Sequence, residues 1–195
     1  MPLNIIRIRR RTGFTLVETM VAGGLLVSIS LMAVLWLTGL SDLWWTSTTQ
    51  SNVRMVSQMA VNRMVSELRS GTRTTGAASP PWAAIPAAPN NTSVTFYLPA
   101  DVDGDGLIIN ATGDTEWNAA PVQYVYVPAQ RQLLRIQGAS QIVLANDVTA
   151  ATFQDRTMDA TLSSNEIRVS LTLQRTTPQQ RPVAATSVEI VKLRN

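Results

Sequence analysis

The chain has 195 residues, room for one domain and an extension. It holds no cysteine and no histidine, which excludes disulfides, thiol chemistry, histidine triads, imidazole acid–base catalysis and the commonest zinc ligand sets. The formal charge is +3, but four of the 16 Lys and Arg precede Gly13 and the remaining 12 face 13 Asp and Glu, so past Gly13 the balance is near −1 and gives no electrostatic support for nucleic-acid binding.

Residues 1–13 form a basic leader, with Arg7, Arg9, Arg10 and Arg11 shortly before Gly13. From Thr19 to Ser41 there are 23 residues without a charge. As a helix that run spans about 35 Å, enough for a hydrocarbon core of roughly 30 Å. The arginines before it stay cytoplasmic by the positive-inside rule, and Trp44 and Trp45 fall at the opposite interface, so the body of the chain faces outward. Glu18 is the anomaly. A carboxylate within a span costs about 2.5–3.5 kcal/mol on insertion scales. A secretory signal does not fit, because LSDLWW follows the apolar run in place of a small-residue cleavage site. A lipoprotein signal needs a cysteine. A plain membrane anchor leaves Glu18 unexplained.

The helical pattern continues past the membrane segment. No proline occurs between Pro2 and Pro80, and Val53, Val56, Ala60, Met64 and Leu68 recur at the three- or four-residue steps of one helix face. A single helix is expected from about Phe14 to about Arg69. Its part over 14–41 is the membrane or filament-core segment, and its part over 42–70 is amphipathic. Residues 71–92, rich in Ala, Pro, Gly, Ser and Thr, read as a linking loop with Trp82 and Ile85 as anchors. Residues 93–195 read as a β-rich globular domain. Its expected strands are 93–98, 122–127, 133–137, 151–155, 166–174 and 187–193, with a five-residue hairpin loop at PAQRQ and a short helical turn mixed into 146–153. In EIRVSLTLQ, Ile167, Val169, Leu171 and Leu173 alternate with polar residues, which predicts one wet face. The fold class is α+β, one long N-terminal helix packed on a small antiparallel sheet.

The run RTGFTLVE, with the basic leader before it and the apolar stretch after it, resembles the signal of type IV prepilins and of the pseudopilins of type II secretion. The resemblance implies that a prepilin peptidase cuts after Gly13 on the cytoplasmic side and that Phe14, the new N-terminus, is methylated. It makes Glu18 the glutamate that pairs with the N-terminal amine of a neighbouring subunit, where each charge compensates the other in a low-dielectric setting. Glu18 also lies within one turn of the interface, where it can snorkel to water. The implied partners are other major and minor pilins, the peptidase and the inner-membrane assembly platform. The implied location is the bacterial inner membrane in a single pass, with the globular domain outside the cytoplasm, and then a pilus or pseudopilus. The order of strands further resembles PilW-type minor pilins and J-type pseudopilins, and the former implies a role in priming or capping assembly. Many major pilins carry a helix-breaking proline in the apolar half; this chain has none. The rival roles are a tip adhesin or DNA-uptake subunit and, disfavoured by the missing His and Cys, an anchored enzyme.

One further stretch looks chemical. In DVDGDGLIIN, Asp101, Asp103 and Asp105 alternate before Gly106, as in the first half of a calcium loop of the EF-hand type. The twelfth position is Thr112 in place of the bidentate Glu, so Asp114 or Glu116 would supply the late ligand. The alternative is a solvated acidic turn. Asp155 and Asp159, which could mimic a glycosidase pair, and the glutamines at 130, 132, 179 and 180 read as surface.

Overall fold

The computed structural model describes residues 13, 15–71 and 83–193. Residues 1–12, expected from sequence to be a leader, lie outside the described residues, as do Phe14 and Trp82. Free of proline and closed at its start by Thr15, the chain forms one helix, α1, over Leu16–Ser70. Two residues beyond the expected start and one beyond the expected end, it covers both halves read from the sequence. Arg69 lies in the last turn, where a cation complements the helix dipole. The Gly71 N–H closes the final turn onto the Glu67 carbonyl.

By its contacts the chain divides between Trp44 and Trp45 into two units. In the first, the helix over residues 16–44 exposes its apolar side chains on all sides. In the second, α1 buries one face, Val53, Ser57, Ala60, Val61, Met64, Val65 and Leu68, and the polar residues between them, half-buried Glu67 apart, stay wet. That stripe packs into one core with both sheets.

The first sheet has five antiparallel strands in chain order: β1 (Ala83–Ala84), β2 (Ser93–Phe96), β3 (Val122–Val127), β4 (Gln132–Gln137) and β5 (Ser140–Ala145). The second has three: β6 (Val148–Gln154), β7 (Glu166–Thr176) and β8 (Pro182–Lys192). Within each sheet every strand pairs with its sequence neighbour, through short turns in β3–β4–β5 and a long connection between β2 and β3. Gly138, with φ of 57°, supplies the left-handed backbone that the two-residue turn between β4 and β5 requires. A backbone bond joins the sheets, from the Val148 N–H to the Arg131 carbonyl, and the Gln174 N–H extends the β6–β7 pairing by donating to the Asp147 carbonyl. The buried Asn91 exchanges bonds with the Phe153 backbone across the same seam.

All six expected strands are present, most with adjusted ends. Gln132 pairs with Val127, which leaves four residues, not five, in the hairpin loop. No helical turn occurs in 146–153. Asp147 takes a turn conformation with φ of 61°, and a continuous strand begins at Val148 because its backbone pairs with Leu173. β7 alternates as read, with Ile167, Val169, Leu171 and Leu173 buried.

Candidate functional site

The entrance to α1 is built from four consecutive residues. The Thr15 hydroxyl accepts from the Glu18 N–H at 3.3 Å. Glu18 Oε2 in turn accepts from the Thr15 N–H and from the Thr15 hydroxyl, both at 3.1 Å. This reciprocal pair is a capping box, which satisfies orphan donors at a helix start and holds an acid near the positive end of the dipole. Thr15, not singled out from sequence, was legible as the first residue of T-x-x-E before an apolar run. Gly13 lies two residues upstream, exposed, with nothing within 4 Å of the position its Cβ would take.

Beyond the cap, the described helix has a stretch long and apolar enough to cross a membrane. Leu25, Leu31, Trp36 and their neighbours are all exposed. A helix apolar all round is stable in water only when something covers it, which here means lipid or other helices. Gly23, Gly24 and Gly39 have open space where a side chain would stand, so a close neighbour can reach the backbone there.

The acidic loop lies between β2 and β3. Asp101, Asp103 and Glu116 bring carboxylate oxygens within 4.8 Å of one another. Asp105 stands outside that trio, and its carboxylate accepts from the Leu107 N–H at 2.7 Å. Asp101 also shapes the loop, taking the N–H groups of Gly104 at 2.6 Å and Gly106 at 2.8 Å, both of which have positive φ. Glu116 accepts from the Val102 N–H at 2.6 Å. A hard cation such as calcium takes oxygen ligands of this kind, and the set it would meet is Asp101, Asp103 and Glu116. Thr112, at the position of the missing Glu, bonds Asn110 and Asp114.

A third polar group, invisible to motif reading, ties the helix to the first sheet. Glu67 on α1 receives the Tyr124 hydroxyl at 2.7 Å and the Arg135 Nε at 2.8 Å. Tyr124 and Arg135 are direct cross-strand partners on β3 and β4, and both are buried. Burial, then the adjacent Glu67 carboxylate, push the Tyr124 phenol far above its ordinary range. Burial alone would lower the Arg135 guanidinium, but the hydrogen bonds and charge of Glu67 outweigh it and raise its pKa. The shifts hold Tyr124 neutral and Arg135 charged, which suits structure better than proton transfer.

No family model, curated protein or solved structure matches this chain.

Proposed function

We propose that this chain is a minor pilin-like structural subunit of a type IV pilus, and not an enzyme. It is cleaved after Gly13 and N-methylated on Phe14 by a prepilin peptidase, held in the inner membrane by residues 14–41, and drawn from there into the filament. The observation that carries the reading is the sequence of features along α1. A basic leader and Gly13 precede a helix closed by Glu18, an uncharged span exposed on every side follows, and the same helix then enters a folded α+β domain. An anchor alone accounts for the span but not for the junction before it. The other pilins of the fibre and the assembly platform are the partners, and the chain primes or caps assembly. A pseudopilin of type II secretion has the same requirements; recovery of the chain in sheared surface fibres distinguishes the pilus from it.

The deciding experiment is intact mass and N-terminal sequencing of the protein extracted from membranes. The expected mature chain begins at methylated Phe14. A chain that retains Met1, or one cut after Leu40, would rule the reading out.

A further inference from the structure

Residues 110–114 form a tight tip on the long connection between β2 and β3. Ile109 bridges Thr115, and the Asn110 N–H donates to the Asp114 carbonyl at 2.9 Å. The Asn110 side chain folds over this tip. Its Oδ1 accepts from the Thr112 N–H at 3.0 Å, the Thr112 hydroxyl at 2.6 Å and the Asp114 N–H at 2.9 Å. Its Nδ2 has no hydrogen-bond partner among the described residues. Residues 111–114 are exposed, and open space lies beside Gly113.

Asn110-Ala111-Thr112 is one of three Asn-x-Ser/Thr runs in the chain; the others begin at Asn90 and Asn91. Such a run is the acceptor pattern for an N-linked glycan in exported proteins. The fold tells the three apart. Asn91 is 7% exposed and its Nδ2 donates to the Phe153 carbonyl at 3.1 Å. Asn90 is exposed, but the two residues after it are held in the fold: Asn91 by that bond, and half-buried Thr92 by the Tyr126 N–H on its carbonyl. A transferase has to take all three residues into its own cleft, which the folded chain denies it at Asn90 and Asn91. At Asn110 the amide nitrogen is free, and the Thr112 hydroxyl already sits on the same side chain. Three donors on Oδ1 pull electron density toward the oxygen, which eases loss of a proton from Nδ2.

We propose that Asn110 is a glycosylation site, which takes an oligosaccharide from a polyprenyl diphosphate carrier after the domain has folded. In the transfer, Nδ2 attacks C1 of the first sugar. The C1–Nδ2 bond forms as the C1–O bond to the diphosphate breaks, and the diphosphate leaves with the electron pair. A carboxylate of the transferase receives the proton that Nδ2 gives up. The donor is a membrane lipid, so donor and acceptor meet at the outer face of the membrane that holds residues 14–41. The inference rests on the reading of an exported, membrane-held subunit and adds a covalent modification to it.

The test is intact mass and peptide mapping of the full-length protein purified from membranes of its native cells. The peptide that contains Asn110 should carry the added mass of an oligosaccharide, and the peptide with Asn90 and Asn91 should carry none. Thr112→Ser keeps the hydroxyl and should keep the glycan. Thr112→Val has the same shape without the hydroxyl, and it should lose the glycan, as should Asn110→Gln. Thr112 stands at the exposed tip, so its replacement leaves the core untouched. An unmodified Asn110 peptide would overturn the proposal, as would full occupancy in Thr112→Val. A glycan on Asn90 or Asn91 would overturn it too, because the folded chain would then not be the acceptor. The same spectrum reads the N-terminus separately. A chain that begins at Phe14 without a glycan leaves the subunit reading standing and this proposal wrong. A glycan on a chain that retains Met1 gives the reverse.

Discussion

Glu18 can serve two partners, and they ask different things of its side chain. The capping box needs an acceptor that reaches the Thr15 N–H, which a glutamine also provides. Pairing with the amine of a neighbouring subunit needs a negative charge. Glu18→Ala removes both, and the cap alone is worth about 1 kcal/mol of helix stability. Glu18→Gln keeps the cap and removes the charge. The expected outcome is that both variants are cleaved, that Gln preserves the first turn, and that both are equally depleted from sheared filaments by quantitative immunoblot. Wild-type incorporation of Glu18→Gln would mean that the carboxylate serves its own helix only. The cost of placing an acid at this depth is eased by the helix dipole, so the residue that looked anomalous in sequence is locally well placed. At the acidic loop, sequence identified Asp101 and Asp103 correctly as neighbours in space. It could not separate Asp105 from Glu116, because Glu116 reaches the other two only through the fold-back of the 114–118 segment.

Among the elements, α1 and β7 were the most legible, since each carries its period without interruption over many residues. β5 was not read as a strand. Ser140, Gln141, Ile142 and Val143 are all exposed on the sheet edge, so no burial alternation marks them. The Glu67–Tyr124–Arg135 group was equally hidden, because its members lie 57 and 68 residues apart and meet only when helix and sheet pack. Its energetics are accessible to mutation. Glu67→Ala strands the Arg135 charge in a mostly buried setting and should cost about 3 kcal/mol. Tyr124→Phe removes one hydrogen bond to a charged group and should cost about 1.5–3 kcal/mol at neutral pH. The folded-state pKa of Tyr124 is raised, so its contribution is complete below the unfolded pKa and is lost as pH rises past about 10, where only the unfolded chain ionises. Above that pH, wild-type stability should therefore fall more steeply than that of Tyr124→Phe, by about 1.4 kcal/mol per pH unit. Denaturant melts of the detergent-solubilised chain across this range measure the difference. Parallel slopes would mean that Tyr124 titrates alike in the folded and unfolded states.

At the scale of the molecule, the two stretches of α1 differ in what covers them. Residues 16–44 carry an apolar surface with no cover in the chain's own fold, whereas residues 45–70 place theirs in a core shared with both sheets. The α+β class was readable because the hydrophobic period switches from helical to alternating after the Pro-rich link. The division into two sheets was not readable, since consecutive antiparallel strands give no sign of where one sheet stops. If the two halves answer to different solvents, substitutions in them should separate two measurements. Leu31→Arg puts a charge mid-span and should cost about 2.5–3.5 kcal/mol of insertion. Since Leu31 touches none of the core, the melting of the sheet domain should shift by no more than about 0.5 kcal/mol, as for an ordinary surface change. Leu68→Ala, at a fully buried position, should do the reverse. Its cost of about 2–5 kcal/mol falls on the domain and leaves retention in carbonate-washed membranes unchanged. For a domain of this size that corresponds to a drop of roughly 4–20 °C in melting temperature. Loss of membrane retention in Leu68→Ala, or a comparable melting shift in Leu31→Arg, would show that the two stretches of α1 are stabilised together and not by separate environments.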